Sequence, residues 1–205
     1  TISLMILVNN PGTWAHVYAP FRHAKWHGCT LTDLVFPFFL FIAGTAMRFS
    51  LGKVKFCRCK DVYVKIFWRA VTIFAFGILL NAFPFIRQDW DWSHFRIMGV
   101  LQRIGIAYGI GAFLVLRFSF KQLWGVIFST LVGYWIILWG FGGPAPFSLE
   151  NNMVRMIDLT ILGESHLWTG TRIPFDPEGL FSTLPAIATL LMGYMAGVMI
   201  QDRKS

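Results

Sequence analysis

Residues 122–141 read QLWGVIFSTLVGYWIILWGF, twenty residues without one charged side chain. As an α-helix this stretch rises about 30 Å, which is the thickness of the hydrocarbon core of a bilayer. Four further apolar stretches of similar length lie near 31–51, 66–86, 97–116 and 183–200. Backbone polar groups in lipid must be hydrogen-bonded within their own segment, so these stretches are predicted to be helices. The predicted fold is therefore all-α, a polytopic transmembrane helix bundle.

The overall composition agrees with this prediction. The chain has 205 residues, of which 56% are hydrophobic and only 14% are charged, and its mean hydropathy is +0.58. Soluble domains carry about 25% charged residues. The low charge therefore indicates that much of the surface faces lipid.

The first apolar segment, residues 1–8 (TISLMILV), is too short to cross a bilayer, because it rises only about 12 Å as a helix. We interpret it as part of a first span. The sequence also stops at residues 201–205 (QDRKS), directly after the last span. We therefore expect residues 1–205 to form a single transmembrane domain, truncated at both ends, with five full spans and a partial first one.

The net charge of +8 would suggest nucleic-acid binding in a soluble protein, but here the basic residues lie beside the spans. Basic residues mark the cytoplasmic side of membrane proteins. No nucleic-acid partner is therefore expected. The segments after the 31–51, 97–116 and 183–200 stretches fall on one side of the bundle and are predicted to be cytoplasmic. The basic residues of these three segments are Lys53, Lys55, Arg58, Lys60, Lys65, Arg117, Lys121, Arg203 and Lys204.

All five histidines fall in the loops predicted to lie on the opposite, non-cytoplasmic side. The densest stretch is 21–30 (FRHAKWHGCT), which contains His23, Trp26 and His27. Imidazole is useful as a base or nucleophile because its ordinary pKa is about 6.5. Three interpretations are open for this stretch: acid–base or acyl-carrier chemistry by one imidazole, a metal held by His23 and His27, or an interfacial loop. Trp26 suits stacking on a sugar as well as the aromatic belt of a membrane protein.

Polar residues inside or beside the spans are further candidates, since ionisable groups in lipid are costly. Arg103 lies about six residues into the 97–116 stretch. It could hold a phosphate or carboxylate, or it could pair with Asp33 or another buried acid. Gln102 could orient a substrate or form a hydrogen bond between helices.

Two local patterns concern the ends of these helices. Thr30 to Asp33 (TLTD) resembles a capping box and predicts a helix beginning there. Pro37 would then lie inside the helix and kink it.

Asp176 and Glu178 precede the last span and could bind an amine, orient an imidazole, or favour the start of the helix through its dipole. Asn9 follows the first apolar segment and could donate to an oxyanion or simply end a helix before Pro11.

Four stretches together resemble a known family. They are 5–12 (MILVNNPG), 22–44 (RHAKWHGCTLTDLVFPFFLFIAG), 99–105 (GVLQRIG) and 175–180 (FDPEGL). In this order, across nearly the whole chain, they resemble the heparan-α-glucosaminide N-acetyltransferase family, and particularly its bacterial members.

The resemblance implies a multi-pass membrane enzyme of the acyltransferase class that moves acetyl from acetyl-CoA, its cosubstrate, to an amino sugar of a glycan on the non-cytoplasmic side. It implies no metal. The family's essential histidine falls on His23 and its catalytic asparagine on Asn9. Other residues then become candidates for binding acetyl-CoA or the acceptor: Trp26, Asp33, Gln102, Arg103, Asp176 and Glu178. The expected location is the bacterial inner membrane, and a homodimer is possible.

The alternative function is a transporter of a small molecule or glycan precursor without transferase activity. In that case Arg103, Asp33 and Pro37 would mark a path for the substrate through the bundle. Transport without an acetylated product would distinguish it from the enzyme.

Overall fold

The computed structural model of the chain describes residues 2–52, 60–83, 92–168, 170 and 173–202, and all regular structure in these ranges is helical. The α-helices are α1 Ile2–Asn9, α2 Val35–Leu51, α3 Lys60–Asn81, α4 Val100–Arg117, α5 Phe120–Phe141, α6 Met153–Leu162 and α7 Thr183–Asp202. The described residues also contain short 3-10 turns, three in the connections before α2 and α4 and one after α6.

The apolar helices confirm the prediction of a polytopic helical membrane bundle. Helices α3, α4, α5 and α7 are long and apolar enough to cross a membrane, with α7 counted over Thr183–Gln201. Helix α2 is apolar but has 17 residues, so it rises only about 26 Å. The described residues therefore contain four long candidate spans and one shorter apolar helix, where the sequence predicted five full spans.

Helix α2 is shorter because its predicted start was placed one turn too early. The backbone N–H and the hydroxyl of Thr30 both donate to Oδ2 of Asp33, each at 2.9 Å. This pattern closes a turn before the helix, which begins only at Val35. Pro37 consequently lies in the first turn of α2, where its missing N–H costs no hydrogen bond. The predicted kink inside the helix is therefore wrong.

Helix α3 differs from its predicted stretch at both ends, running over Lys60–Asn81 instead of 66–86. Its first turns are charged and largely exposed, with Lys60 and Asp61 at the start. An apolar window misses such a polar beginning. Five of the basic residues used for the topology lie outside the described residues: Lys53, Lys55, Arg58, Arg203 and Lys204.

Helix α7 lies at the centre of the bundle and packs against α2, α4 and α5. Its contact with α2 depends on glycine on both sides. A Cβ at Gly44 would lie 1.9 Å from the carbonyl oxygen of Leu190, and one at Gly193 would lie 2.0 Å from that of Phe41. The hydroxyl of Thr45 donates to the carbonyl of Gly193 at 3.0 Å. Small residues of this kind let membrane helices approach closely.

Helix α6 was not predicted. Its N-cap is Asn152, whose side chain accepts a hydrogen bond from the N–H of Val154 at 2.8 Å. With 10 residues it rises only about 15 Å, too little to span a bilayer. It packs within the long connection between α5 and α7, and it buries Asp158.

Candidate active site

The connections before α2, before α4 and before α7 meet at one end of the bundle, and His23 lies there. The Nδ1 atom of His23 is 2.7 Å from Oδ1 of Asp33. The imidazole is otherwise open, with 64% of its side chain exposed, and Nε2 has no hydrogen-bond partner among the described residues. Asp33 therefore holds one nitrogen of the ring and leaves the other free to react.

Asp33 is fixed by hydrogen bonds to both of its oxygens. Oδ2 accepts from the backbone N–H groups of Ala24, at 3.2 Å, and Thr30, and from the Thr30 hydroxyl. Partial burial alone would raise the pKa of Asp33. The bonds from Thr30, His23 and Ala24 outweigh it and hold that pKa below its ordinary value. The carboxylate stays ionised and favours the proton of His23 on Nδ1.

Trp26 joins this loop to the long connection before α7. Its indole Nε1–H donates to the carbonyl of Phe147 at 2.7 Å. Its ring packs edge-on against Phe175, with centroids 5.1 Å apart. The two contacts give the segment around His23 a defined position.

Arg96 binds the two acids that precede α7. Its Nε and Nη2 atoms donate to the carboxylate of Asp176 at 2.8 and 2.6 Å, and Nη2 also donates to Oε2 of Glu178 at 2.7 Å. Asp176 is fully buried, whereas 24% of the Glu178 side chain is exposed. Burial alone would lower the pKa of Arg96, but the two carboxylates raise it above its ordinary value.

Two cavities flank His23. The first is apolar, measures about 290 Å³, and lies between α1, α2 and α4, with Asn9 in its wall. The second is polar, measures about 570 Å³, and includes Asp33 and Arg96. Aromatic side chains of Trp26, Trp168 and Phe175 also line the second cavity.

The structure brings some of the sequence-predicted residues together. Asn9 shares the apolar cavity with His23, and one hydrogen of its amide donates to the carbonyl of Met5 at 3.0 Å. Trp26 and Asp33 share the polar cavity with His23. Glu178 lines both cavities.

Other predicted residues lie behind the cavities. Asp176 is buried against Arg96 and lines neither cavity. Gln102 is buried and donates to the carbonyl of Ile97 at 3.0 Å. It packs against α3, where a Cβ on Gly77 would lie 2.3 Å from its oxygen.

Arg103 contacts backbone carbonyls. Its Nη1 donates to the carbonyl of Pro177 at 3.1 Å and its Nη2 to that of Ser182 at 2.5 Å. Its guanidinium lies over the ring of Phe36, 5.0 Å from the centroid. The alternative of a pair with Asp33 is wrong, since Asp33 binds His23. The hydrogen bonds of Arg103 instead hold the turn that carries Glu178.

Sequence reasoning missed two residues that shape this turn. Arg96 was not singled out, although two neighbouring acids at 176 and 178 signal the need for a cation. Asp158 is fully buried, and its Oδ1 accepts from the N–H of Phe181 at 3.2 Å. Burial raises the pKa of Asp158 to about 6, despite the lowering effect of hydrogen bonds from Phe181 and Leu180. No local pattern marked it.

The metal interpretation finds no set of ligands in the described part of the chain, where no three His, Cys, Asp or Glu side chains are placed to share an ion. His23 binds Asp33, whereas His27 is exposed and contacts Trp26 edge-on.

Comparison with known proteins shows which proteins the chain is similar to. No protein-family model matches the chain. The heparan-alpha-glucosaminide N-acetyltransferase of Homo sapiens is 28% identical to it over 96% of this chain, and the protein of the same name from Mus musculus is likewise 28% identical over 96%. The predicted resemblance is confirmed.

The chain spans about a third of the length of these two heparan-alpha-glucosaminide N-acetyltransferases, 36% and 37%. The similarity covers nearly all of the chain.

Proposed function

We propose that the protein is an integral-membrane acyltransferase that moves acetyl from acetyl-CoA to an amino sugar of a glycan. The observation that carries the proposal is the pairing of His23 with Asp33 between two cavities. Acyl transfer through an imidazole needs a free Nε2, an ionised partner on Nδ1 and space on both sides of the ring. The names of the curated relatives support the same reaction.

His23 can act in two ways. Its Nε2 can take the acetyl group itself, or it can remove a proton from the acceptor amine. In both cases Asp33 fixes the ring and stabilises the positive charge that develops on it. Asn9 lies in the wall of the apolar cavity beside His23, and the second hydrogen of its amide is available to an oxyanion.

The polar cavity suits a sugar. Its aromatic walls can stack against the apolar faces of a sugar ring, and its carboxylates can bind an ammonium group. The apolar cavity on the other side of His23 suits the acyl-bearing end of the thioester. We assign the acceptor to the polar cavity and the donor to the apolar one.

We assign the His23 end of the bundle to the non-cytoplasmic side, and the basic residues of the connections at the other end support this orientation. In a bacterium this is the outer face of the inner membrane. Accessibility of Cys29, which is exposed in the loop of His23, to a membrane-impermeant thiol reagent in intact spheroplasts tests this orientation. Labelling only after lysis would reverse it.

The test of the activity is acetyl transfer from labelled acetyl-CoA to glucosamine-type amines by the full-length protein in liposomes. We expect transfer by the wild type and its loss, on the order of 100-fold or more, in His23→Ala. His16→Ala is the matched control, because His16 is exposed and lines neither cavity. Undiminished transfer by His23→Ala would contradict the assignment. Uptake of the amine without any acetylated product would favour a transporter.

A further inference from the structure

Among the residues that line the two cavities, only His23 and Glu178 line both the apolar and the polar one. Both residues can therefore contact a group bound in either cavity.

The hydrogen bonds of Glu178 leave one of its oxygens open. Oε2 accepts from Arg96, but Oε1 has no partner among the described residues. Two of the three hydrogen bonds that Arg96 donates go to Asp176. Asp176 therefore takes most of the hydrogen bonds of this guanidinium, and Glu178 receives one through Oε2.

The reaction creates a need for such a group. Amines are mostly protonated at neutral pH, and an ammonium ion has no lone pair with which to attack a carbonyl. If Nε2 of His23 carries the acetyl group, that nitrogen cannot accept the proton. For the mode of the proposed function in which His23 carries the acetyl group, we propose that Glu178 is the proton acceptor for the acceptor amine. This inference rests on the proposed function.

The steps balance as follows. Nε2 of His23 attacks the thioester carbon, the C–S bond breaks, and the thiolate of CoA leaves, with Nδ1–H still donated to Asp33. The ammonium gives one proton to Oε1 of Glu178, and the resulting amine attacks the acetyl carbon. The N–C bond forms, the C–Nε2 bond breaks, and the second amine proton passes to Nε2. His23 and Glu178 return their protons to solvent, one of which goes to the thiolate, so one proton is released overall.

The surroundings of Glu178 combine both signs of charge. The ionisable groups that share its cavities or its ion pair, or act on it through charge, are His23, Lys25, Asp33, Arg96, Arg103 and Asp176. Replacing the carboxylate with an amide keeps the shape and an acceptor for Arg96 but removes the base.

The experiment separates the two half-reactions of Glu178→Gln in full-length protein in liposomes. Exchange of labelled CoA into acetyl-CoA without acceptor reports acetyl transfer to His23, and acetylation of glucosamine reports the second step. We expect exchange at the wild-type rate and a loss in acetylation on the order of 100-fold. Acetylation should recover as the pH rises and the amine becomes neutral without a base.

Two variants complete the design. Glu150→Gln makes the same change at an exposed glutamate outside both cavities, and both rates should stay at the wild-type level. Glu178→Asp keeps a carboxylate, so it should keep the wild-type pH profile at a lower rate. Exchange in Glu178→Gln shows that the variant is folded.

Several outcomes would overturn the inference. They are wild-type acetylation in Glu178→Gln, equal losses in exchange and acetylation, or no exchange in a wild type that does acetylate glucosamine. If the proposed function itself is wrong, the wild type transfers no acetyl group at all, and this result is distinct from the three outcomes above.

Discussion

The imidazole of His23 is held by Asp33 through a 2.7 Å contact between Nδ1 and Oδ1, and Asp33 is itself fixed by Thr30 and by the N–H of Ala24. These residues all belong to one loop. The orientation of the reactive ring is therefore set by contacts within this loop.

Replacing Asp33 tests this relationship. In Asp33→Asn an amide faces Nδ1 and favours the wrong tautomer of His23, with its proton on Nε2. The corresponding change in Ser-His-Asp proteases lowers kcat about 10⁴-fold. We expect acetyl transfer to fall at least 100-fold, mainly in kcat, since Asp33 acts through His23. The measurement is transfer as a function of acceptor concentration and of pH.

The control for Asp33→Asn is Asp61→Asn, at an exposed carboxylate near the start of α3. It should leave transfer unchanged. Wild-type kcat in Asp33→Asn would show that the contact with His23 has no part in the reaction.

The glycine contact between α2 and α7 predicts a second effect. In Gly193→Ala the new Cβ would lie 2.0 Å from the carbonyl oxygen of Phe41 and 2.7 Å from its carbon. Backbone atoms cannot rotate away, so the two helices must separate. We expect a loss of about 1–3 kcal/mol in the free energy of unfolding and lower acetyl transfer, because α2 follows Asp33 and α7 follows Glu178.

Gly133→Ala on α5 is the matched control, since a Cβ there meets nothing within 4 Å. Alanine favours a helix by about 1 kcal/mol over glycine. Thermal unfolding in detergent should therefore give an equal or higher midpoint for this variant. A Gly193→Ala protein as stable as the wild type would show that the helices do not pack this closely.

The helices themselves were predictable because the apolar stretches are long and uninterrupted. The errors lie where polar side chains form local hydrogen bonds. Thr30 and Asp33 were correctly identified as a linked pair, but they close a turn ahead of α2 instead of capping it. Helix α6 has apolar residues on only part of its surface, so its pattern did not stand out within a loop.

The site was predictable only in part. His23 was chosen through family resemblance, since five histidines lie in the same set of loops. The contacts of Arg96 with Asp176 and Glu178 join residues about 80 positions apart. Such pairs depend on how α4 and α7 pack, and no local spacing reveals them. Arg103 was correctly identified as an unusual charge, but its carbonyl partners could not be read from side-chain types.

Asp158 predicts a pH dependence of stability. Burial raises its pKa to about 6 from the ordinary 3.8. Between these values the folded chain keeps a proton that the unfolded chain has lost. The free energy of unfolding therefore falls as the pH rises through this window, by about 3 kcal/mol in total, and is level above it. Asp158→Asn keeps the acceptor for Phe181 but cannot ionise, so it lacks this slope.

The measurement is the thermal midpoint of the wild type and Asp158→Asn in detergent across that pH range. Subtracting the two curves removes the titration of all other groups. We expect the difference to shift in favour of the variant as the pH rises towards 6 and then to stay constant. Asp61→Asn removes an exposed carboxylate, so the difference between its thermal midpoint and that of the wild type should change little with pH. A constant difference for Asp158→Asn at every pH would mean that folding does not raise the pKa of this carboxyl.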